Sequence, residues 1–187
     1  MNFSQIINNI PNLITLARMV MTPVAILMIV SERYLAAFLT FLLAGVSDAV
    51  DGFIARHYNM RTELGAYLDP LADKALLISI YVTLAIFGEL PAWVAIAVVS
   101  RDVMILVAVI VSWLLDKPVA IRPVWVSKLN TAAQIALAGF ALGARAWGVD
   151  AHPIQTGLEW AVAVTTVASG GVYVAQWLDH MTRSDRQ

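Results

Sequence analysis

Asp48-Ala-Val-Asp51-Gly52-Phe-Ile-Ala55-Arg56, then eight residues, Gly65, three residues, Asp69, three residues and Asp73: these 26 positions decide how the chain is read. On a helix, offsets of three, four and seven from Asp48 put Asp51, Gly52 and Ala55 on its own face. Asp69 and Asp73, four apart, share a face of whatever helix follows. Two helices joined by a short polar loop therefore bring four carboxylates together, with small residues beside them. Such carboxylates repel one another unless cations hold them, and their oxygens suit hard divalent ions, Mg²⁺ or Mn²⁺. A pair of bridged ions is the usual arrangement for phosphoryl transfer, where attacking and leaving oxygens are both stabilised. Gly52 and Ala55 leave room for a flat or phosphorylated ligand, and Arg56 is suited to pair with a phosphate. The alternative, a solvated acidic loop, fits poorly because long apolar segments flank the motif on both sides.

Working outward, the chain of 187 residues is 60% hydrophobic and only 13% charged, with a mean hydropathy of +0.76. Soluble domains carry about 25% charged residues, so the composition predicts a membrane protein. A net charge of −1 offers no basic field for nucleic acid. The absence of cysteine excludes disulfides and thiol chemistry. The first basic residue is Arg18, so no basic start of a signal peptide is expected and the first apolar helix should be retained.

Residues 2–12 carry Phe3, Ile6, Ile7 and Ile10 at helical spacing, which reads as a short helix lying in the membrane interface or as a frayed lead-in. Spans are expected at 13–30 with a kink near Pro23, at about 34–56, 63–87, 91–115 and 129–147, and at 160–178, with a proline- and charge-rich loop over 116–127. The expected fold is an all-α integral membrane protein of six transmembrane helices, one domain over 1–187. Gly139 and Gly143, four apart, would let helices approach closely, within the chain or in a dimer. With the amino terminus inside, seven loop Lys and Arg fall on the cytoplasmic side (56, 61, 117, 122, 128, 183, 186) against Arg33 and Arg145 on the other. The basic bias puts both termini and the acidic motif at the cytoplasmic face.

The 26-residue pattern resembles the signature of the CDP-alcohol phosphotransferases, integral membrane enzymes of phospholipid synthesis, and meets all eight of its fixed positions. The resemblance implies a metal site of two divalent cations, Mg²⁺ or Mn²⁺, on Asp48, Asp51, Asp69 and Asp73, with Asp73 as general base. It implies that Gly52, Ala55 and Gly65 shape the nucleotide pocket and that Arg56 holds the diphosphate. The run from Asn8 to Arg18 is similar to the start of bacterial and mitochondrial members, which would place Asn12, Thr15 and Arg18 at the nucleotide; a snorkelling role for Arg18 is the other reading. Homodimers are common in the family, so a homodimer is implied.

The acceptor contacts are expected from Arg101, Arg122, Lys128 and Asn130. Family members acting on glycerol 3-phosphate typically carry Gly-Lys-x-Lys-Thr where this chain has Ser127-Lys128-Leu129-Asn130-Thr131. One lysine suits a phosphodiester of single charge better than a dianionic monoester. Together with Arg101-Asp102-Val103, the run resembles the cardiolipin synthases, which join CDP-diacylglycerol and phosphatidylglycerol into cardiolipin and CMP. The close alternative is a phosphatidylglycerophosphate synthase. A distant one is an intramembrane ion or proton carrier, which leaves the glycine and arginine spacing unexplained. The implied location is a bacterial plasma membrane, with the mitochondrial inner membrane hard to separate from it.

Overall fold

The computed structural model describes residues 3–57, 63–115 and 125–184, with side chains over 15–50, 72–115 and 125–182. These residues form six helices and no strand: α1 (Phe3–Val30), α2 (Tyr34–His57), α3 (Glu63–Ile86), α4 (Ala92–Leu114), α5 (Trp125–Trp147) and α6 (His152–Ser184). The six expected elements are present, with three differences. Residues 3–12 are neither a separate interfacial helix nor a frayed lead-in but the start of α1, which continues without a break through Pro11 and Pro23. Trp125, Val126 and Ser127 belong to the first turn of α5 rather than to the preceding loop. Finally, α6 has 33 residues, roughly 50 Å at 1.5 Å per residue and so longer than the bilayer core.

Three of these helices end in the same way. Beyond α1, α3 and α5 stand Glu32, Gly88 and Gly148, with φ of 56°, 75° and 63°. At each end the next amide closes back on a carbonyl five residues earlier: Arg33 on Met28, Glu89 on Leu84 and Val149 on Ala144, at 2.8, 2.9 and 2.9 Å. This left-handed closure satisfies carbonyls that the helix leaves unpaired. Glycine adopts it freely, whereas Glu32 does so against its Cβ.

The chain divides into two compact units. In the first, Met1–Glu89 with Ala138–Asp150, α1 packs on both α2 and α3. Small side chains make the approach close: Ala25, Ala37, Ala44, Ala72, Ala138 and Ala141 are all buried. Gly139 and Gly143 accept the rings of Phe41 and Phe38 at 3.4 and 3.3 Å from where a Cβ would stand, so this glycine pair serves packing within the chain. At the end of the unit where α2 begins, Glu89 accepts from the Tyr34 hydroxyl at 3.0 Å and from Arg145 Nε at 2.9 Å.

The second unit, Leu90–Leu137 with Ala151–Gln187, is built on α4 and α6. They run in the same direction: Trp93 meets Trp160, Arg101 meets Ser169, and the Trp177 indole donates to Ser112 at 2.8 Å. The first half of α5 lies antiparallel to α6, since Ser127 and Ser169 share Arg101 while Asn130 meets Thr165 and Thr166.

Among the described residues, α4 and α6 are the helices long and apolar enough to cross a membrane, while 15–30 and 34–50 are shorter apolar stretches. Six crossings are therefore supported in part. Large apolar side chains nevertheless stand exposed on all six helices, among them Leu27, Leu43, Ile86, Leu106, Ile135 and Val167. Exposed apolar surface of that extent suits hydrocarbon better than water.

Candidate functional site

The first half of the acidic motif is carried by α2 and the second by α3, and α1 lies against both. Arg18 on α1 brings the two halves to one point. Its guanidinium is 1% exposed, and Nη1 donates to Asp48 Oδ1 at 2.8 Å. The same Nη1 also donates to Asp73 Oδ1. Two carboxylates from two other helices, 30 and 55 positions from Arg18, thus meet around its positive charge. A buried arginine in this setting needs carboxylate partners to offset the loss of water. The snorkelling reading of Arg18 is therefore corrected: its charge is held inward by Asp48 and Asp73. Thr15, one turn earlier, is buried beside it at 1% exposure.

Asp51, Gly52, Ala55 and Arg56 fall within α2, and Gly65 and Asp69 within α3, as the spacing required. Their side chains lie outside the described residues. What the structure shows of the four-carboxylate expectation is accordingly the convergence of Asp48 and Asp73. The two half-exposed carboxylates that converge there from different helices are oxygen donors of the kind a hard cation takes, with Arg18 supplying the positive charge in this structure.

The second cluster lies in the other unit and centres on Arg101, in the middle of α4 and 8% exposed. Nη1 donates to Asp102 Oδ1 at 2.6 Å. Nη2 donates to Ser127 Oγ at 2.7 Å and to Ser169 Oγ at 2.5 Å. The guanidinium carbon stands 5.3 Å from the centre of the Tyr173 ring, within cation–π range. Next to Ser169, a Cβ at Gly170 would stand 3.2 Å from Met104 Cε and in ordinary contact, 3.8 Å, with Arg101 Cγ.

Of the other expected acceptor contacts, Arg122 lies outside the described residues. Lys128 is exposed, with Nζ 5.1 Å from the Trp125 ring centre. Asn130 is fully buried, its Oδ1 accepting from Thr165 at 3.0 Å and Thr166 at 2.9 Å. Sequence reasoning missed the α6 contributors, Thr165, Thr166, Ser169 and Tyr173. A signal was present: Thr166, Ser169 and Tyr173 stand three and four apart and so share one helical face.

Residues 8–168 match the CDP-alcohol phosphatidyltransferase family. The chain is similar to the human cardiolipin synthase (CMP-forming), 35% identical over 181 residues that cover 88% of this chain and 60% of the relative. A probable cardiolipin synthase of Drosophila melanogaster is 33% identical over 90% of this chain and 57% of its own length. A probable phosphatidylglycerophosphate synthase of Mycobacterium tuberculosis is also 33% identical, over 96% of this chain and 83% of its own. The chain thus spans somewhat under two thirds of the animal relatives it matches and most of the bacterial one.

Proposed function

Because the chain belongs to the CDP-alcohol phosphatidyltransferase family, we propose that it transfers a phosphatidyl group from CDP-diacylglycerol to phosphatidylglycerol, giving cardiolipin and CMP. The observation that carries the reading is the meeting of Asp48 and Asp73 on Arg18, which joins the two halves of the acidic motif. In this reaction a glycerol hydroxyl of phosphatidylglycerol attacks the β-phosphorus of CDP-diacylglycerol. The new P–O bond forms as the bond to the CMP oxygen breaks, and CMP leaves with that electron pair. Asp73 takes the hydroxyl proton, and Arg18 fixes the direction in which its carboxylate points. Arg56 holds the diphosphate, while Gly52, Ala55 and Gly65 leave space for the cytidine. Asp48, Asp51, Asp69 and Asp73 would hold two divalent cations, Mg²⁺ or Mn²⁺, which when bound neutralise the diphosphate charge.

The acceptor is proposed from the second unit. Arg101 supplies a buried positive charge, Lys128 an exposed one, and Asn130 none. Asp102 already balances the charge of Arg101, so the exposed Lys128 is left to match the single charge of a phosphodiester, with Arg122 as the further expected contact. The similarity to a mycobacterial phosphatidylglycerophosphate synthase at 33% identity favours glycerol 3-phosphate as the second reading. Purified protein given labelled CDP-diacylglycerol and one acceptor at a time separates the two. Cardiolipin is the expected product, and phosphatidylglycerophosphate as the main product refutes the acceptor assignment.

In this reading the protein is a homodimer in a bacterial plasma membrane, crossing six times with the active site and both termini cytoplasmic. With no native cysteine, single introduced cysteines report topology directly. Ser184→Cys should react from the cytoplasmic side and Ala151→Cys from the opposite side; the reverse pattern overturns the orientation. Light scattering in detergent should give a mass of two copies, and one copy refutes the dimer.

A further inference from the structure

Arg101 is held more completely than a residue that merely carries a charge requires. Its guanidinium is nine-tenths buried in the middle of an apolar helix, and three side chains from three helices accept from it. Asp102 balances the charge. Ser127 and Ser169 are neutral and add little to that balance, yet both accept from the same Nη2. Two acceptors on one nitrogen, from α5 on one side and α6 on the other, prevent the planar fork from rotating. The Tyr173 ring then covers the guanidinium at 5.3 Å.

Two donor features stay uncommitted in this arrangement. Arg101 Nε is buried and has no partner among the described residues. Each serine hydroxyl spends a lone pair on the guanidinium and retains its own O–H to give onward. A buried arginine N–H without an acceptor, beside hydroxyls that still have protons to donate, is suited to an oxyanion.

We propose that Ser127 and Ser169, with Tyr173 over the guanidinium, are positioning residues that hold Arg101 for the phosphate of the acceptor. This rests on the transferase reading above and adds α6 to the acceptor site. Ser169 and Tyr173, four apart, sit on one face of α6, the face that meets Arg101. Substitutions there are therefore felt at the acceptor and not at the nucleotide.

The test uses the full-length protein purified in detergent, with Ser127→Ala, Ser169→Ala and, as a packing control, Ser112→Ala. Ser112 accepts from the Trp177 indole between the same two helices but does not touch Arg101. For Ser127→Ala and Ser169→Ala, the KM of whichever acceptor supports turnover should rise about three- to tenfold, as for loss of one interhelical hydrogen bond. The KM for CDP-diacylglycerol and kcat should stay within about twofold of wild type. Ser127→Thr, which keeps the hydroxyl, should restore the acceptor KM. Should Ser169→Ala fail to fold, Ser127→Ala and Ser127→Thr carry the comparison.

Thermal stabilisation by dioctanoyl phosphatidylglycerol is measured alongside, because it reads the anion site without turnover. It should weaken in Ser127→Ala and Ser169→Ala and persist in Ser112→Ala. A wild type that turns over neither acceptor refutes the transferase reading, while the lipid shift still decides the Arg101 proposal. An unchanged acceptor KM and lipid shift, or an equal change in Ser112→Ala, overturns it.

Discussion

Replacing Arg18 by methionine removes the positive charge that the structure places between Asp48 and Asp73 and leaves a shorter, apolar stem. Breaking a fully buried ion pair from one side costs about 3–5 kcal/mol. Here the arginine is 1% exposed, but the side chains of Asp48 and Asp73 are 42% and 43% exposed. Water screens the two carboxylates left behind, so the cost falls to about 1–3 kcal/mol. For a chain of this size that corresponds to a Tm lowered by roughly 2–12 °C. The measurement is thermal unfolding of the purified protein in chelator, wild type beside Arg18→Met. A divalent cation between the carboxylates can replace the missing charge, so magnesium should raise the Tm of Arg18→Met more than that of wild type. Equal Tm values in chelator would show that Arg18 does not hold the two aspartates. A drop that magnesium leaves untouched would refute the placing of a cation there.

Asp73→Asn should lower turnover about 10²–10⁴-fold while CDP-diacylglycerol still binds, because a general base acts on the acceptor proton; near-wild-type kcat with both substrates saturating would reduce Asp73 to a ligand. Asn130→Lys should shift acceptor preference toward glycerol 3-phosphate about tenfold. It also removes the acceptor of Thr165 and Thr166 in a fully buried position, so its Tm should fall; a stable variant with unchanged product distribution would separate residue 130 from acceptor choice. Glu32→Gly should raise stability by about 0.5–1 kcal/mol, since glycine adopts the left-handed φ of 56° without strain. A lowered Tm for Glu32→Gly would show that its side chain contributes more than its backbone conformation costs.

The sequence by itself determined what repeats at short range. Six helices were legible because apolar runs near the length of a span are interrupted only at polar loops, and the family because eight fixed residues lie within 26 positions. Helical periodicity placed Asp48 with Asp51 and Asp69 with Asp73 without reference to anything distant. It did not show that α1 runs unbroken through Pro11 and Pro23, since proline lowers helix propensity locally while packing on α2 and α3 is supplied from elsewhere. Nor did it decide where the arginines point. Arg18 finds its partners 30 and 55 residues away and Arg101 its serines 26 and 68 away, separations that follow from which helix faces meet. Asn130 read as a substituted lysine, and only its burial against Thr165 and Thr166 shows that it ties α5 to α6. In an apolar surrounding each buried polar group must find a partner, and helix packing decides which one is within reach.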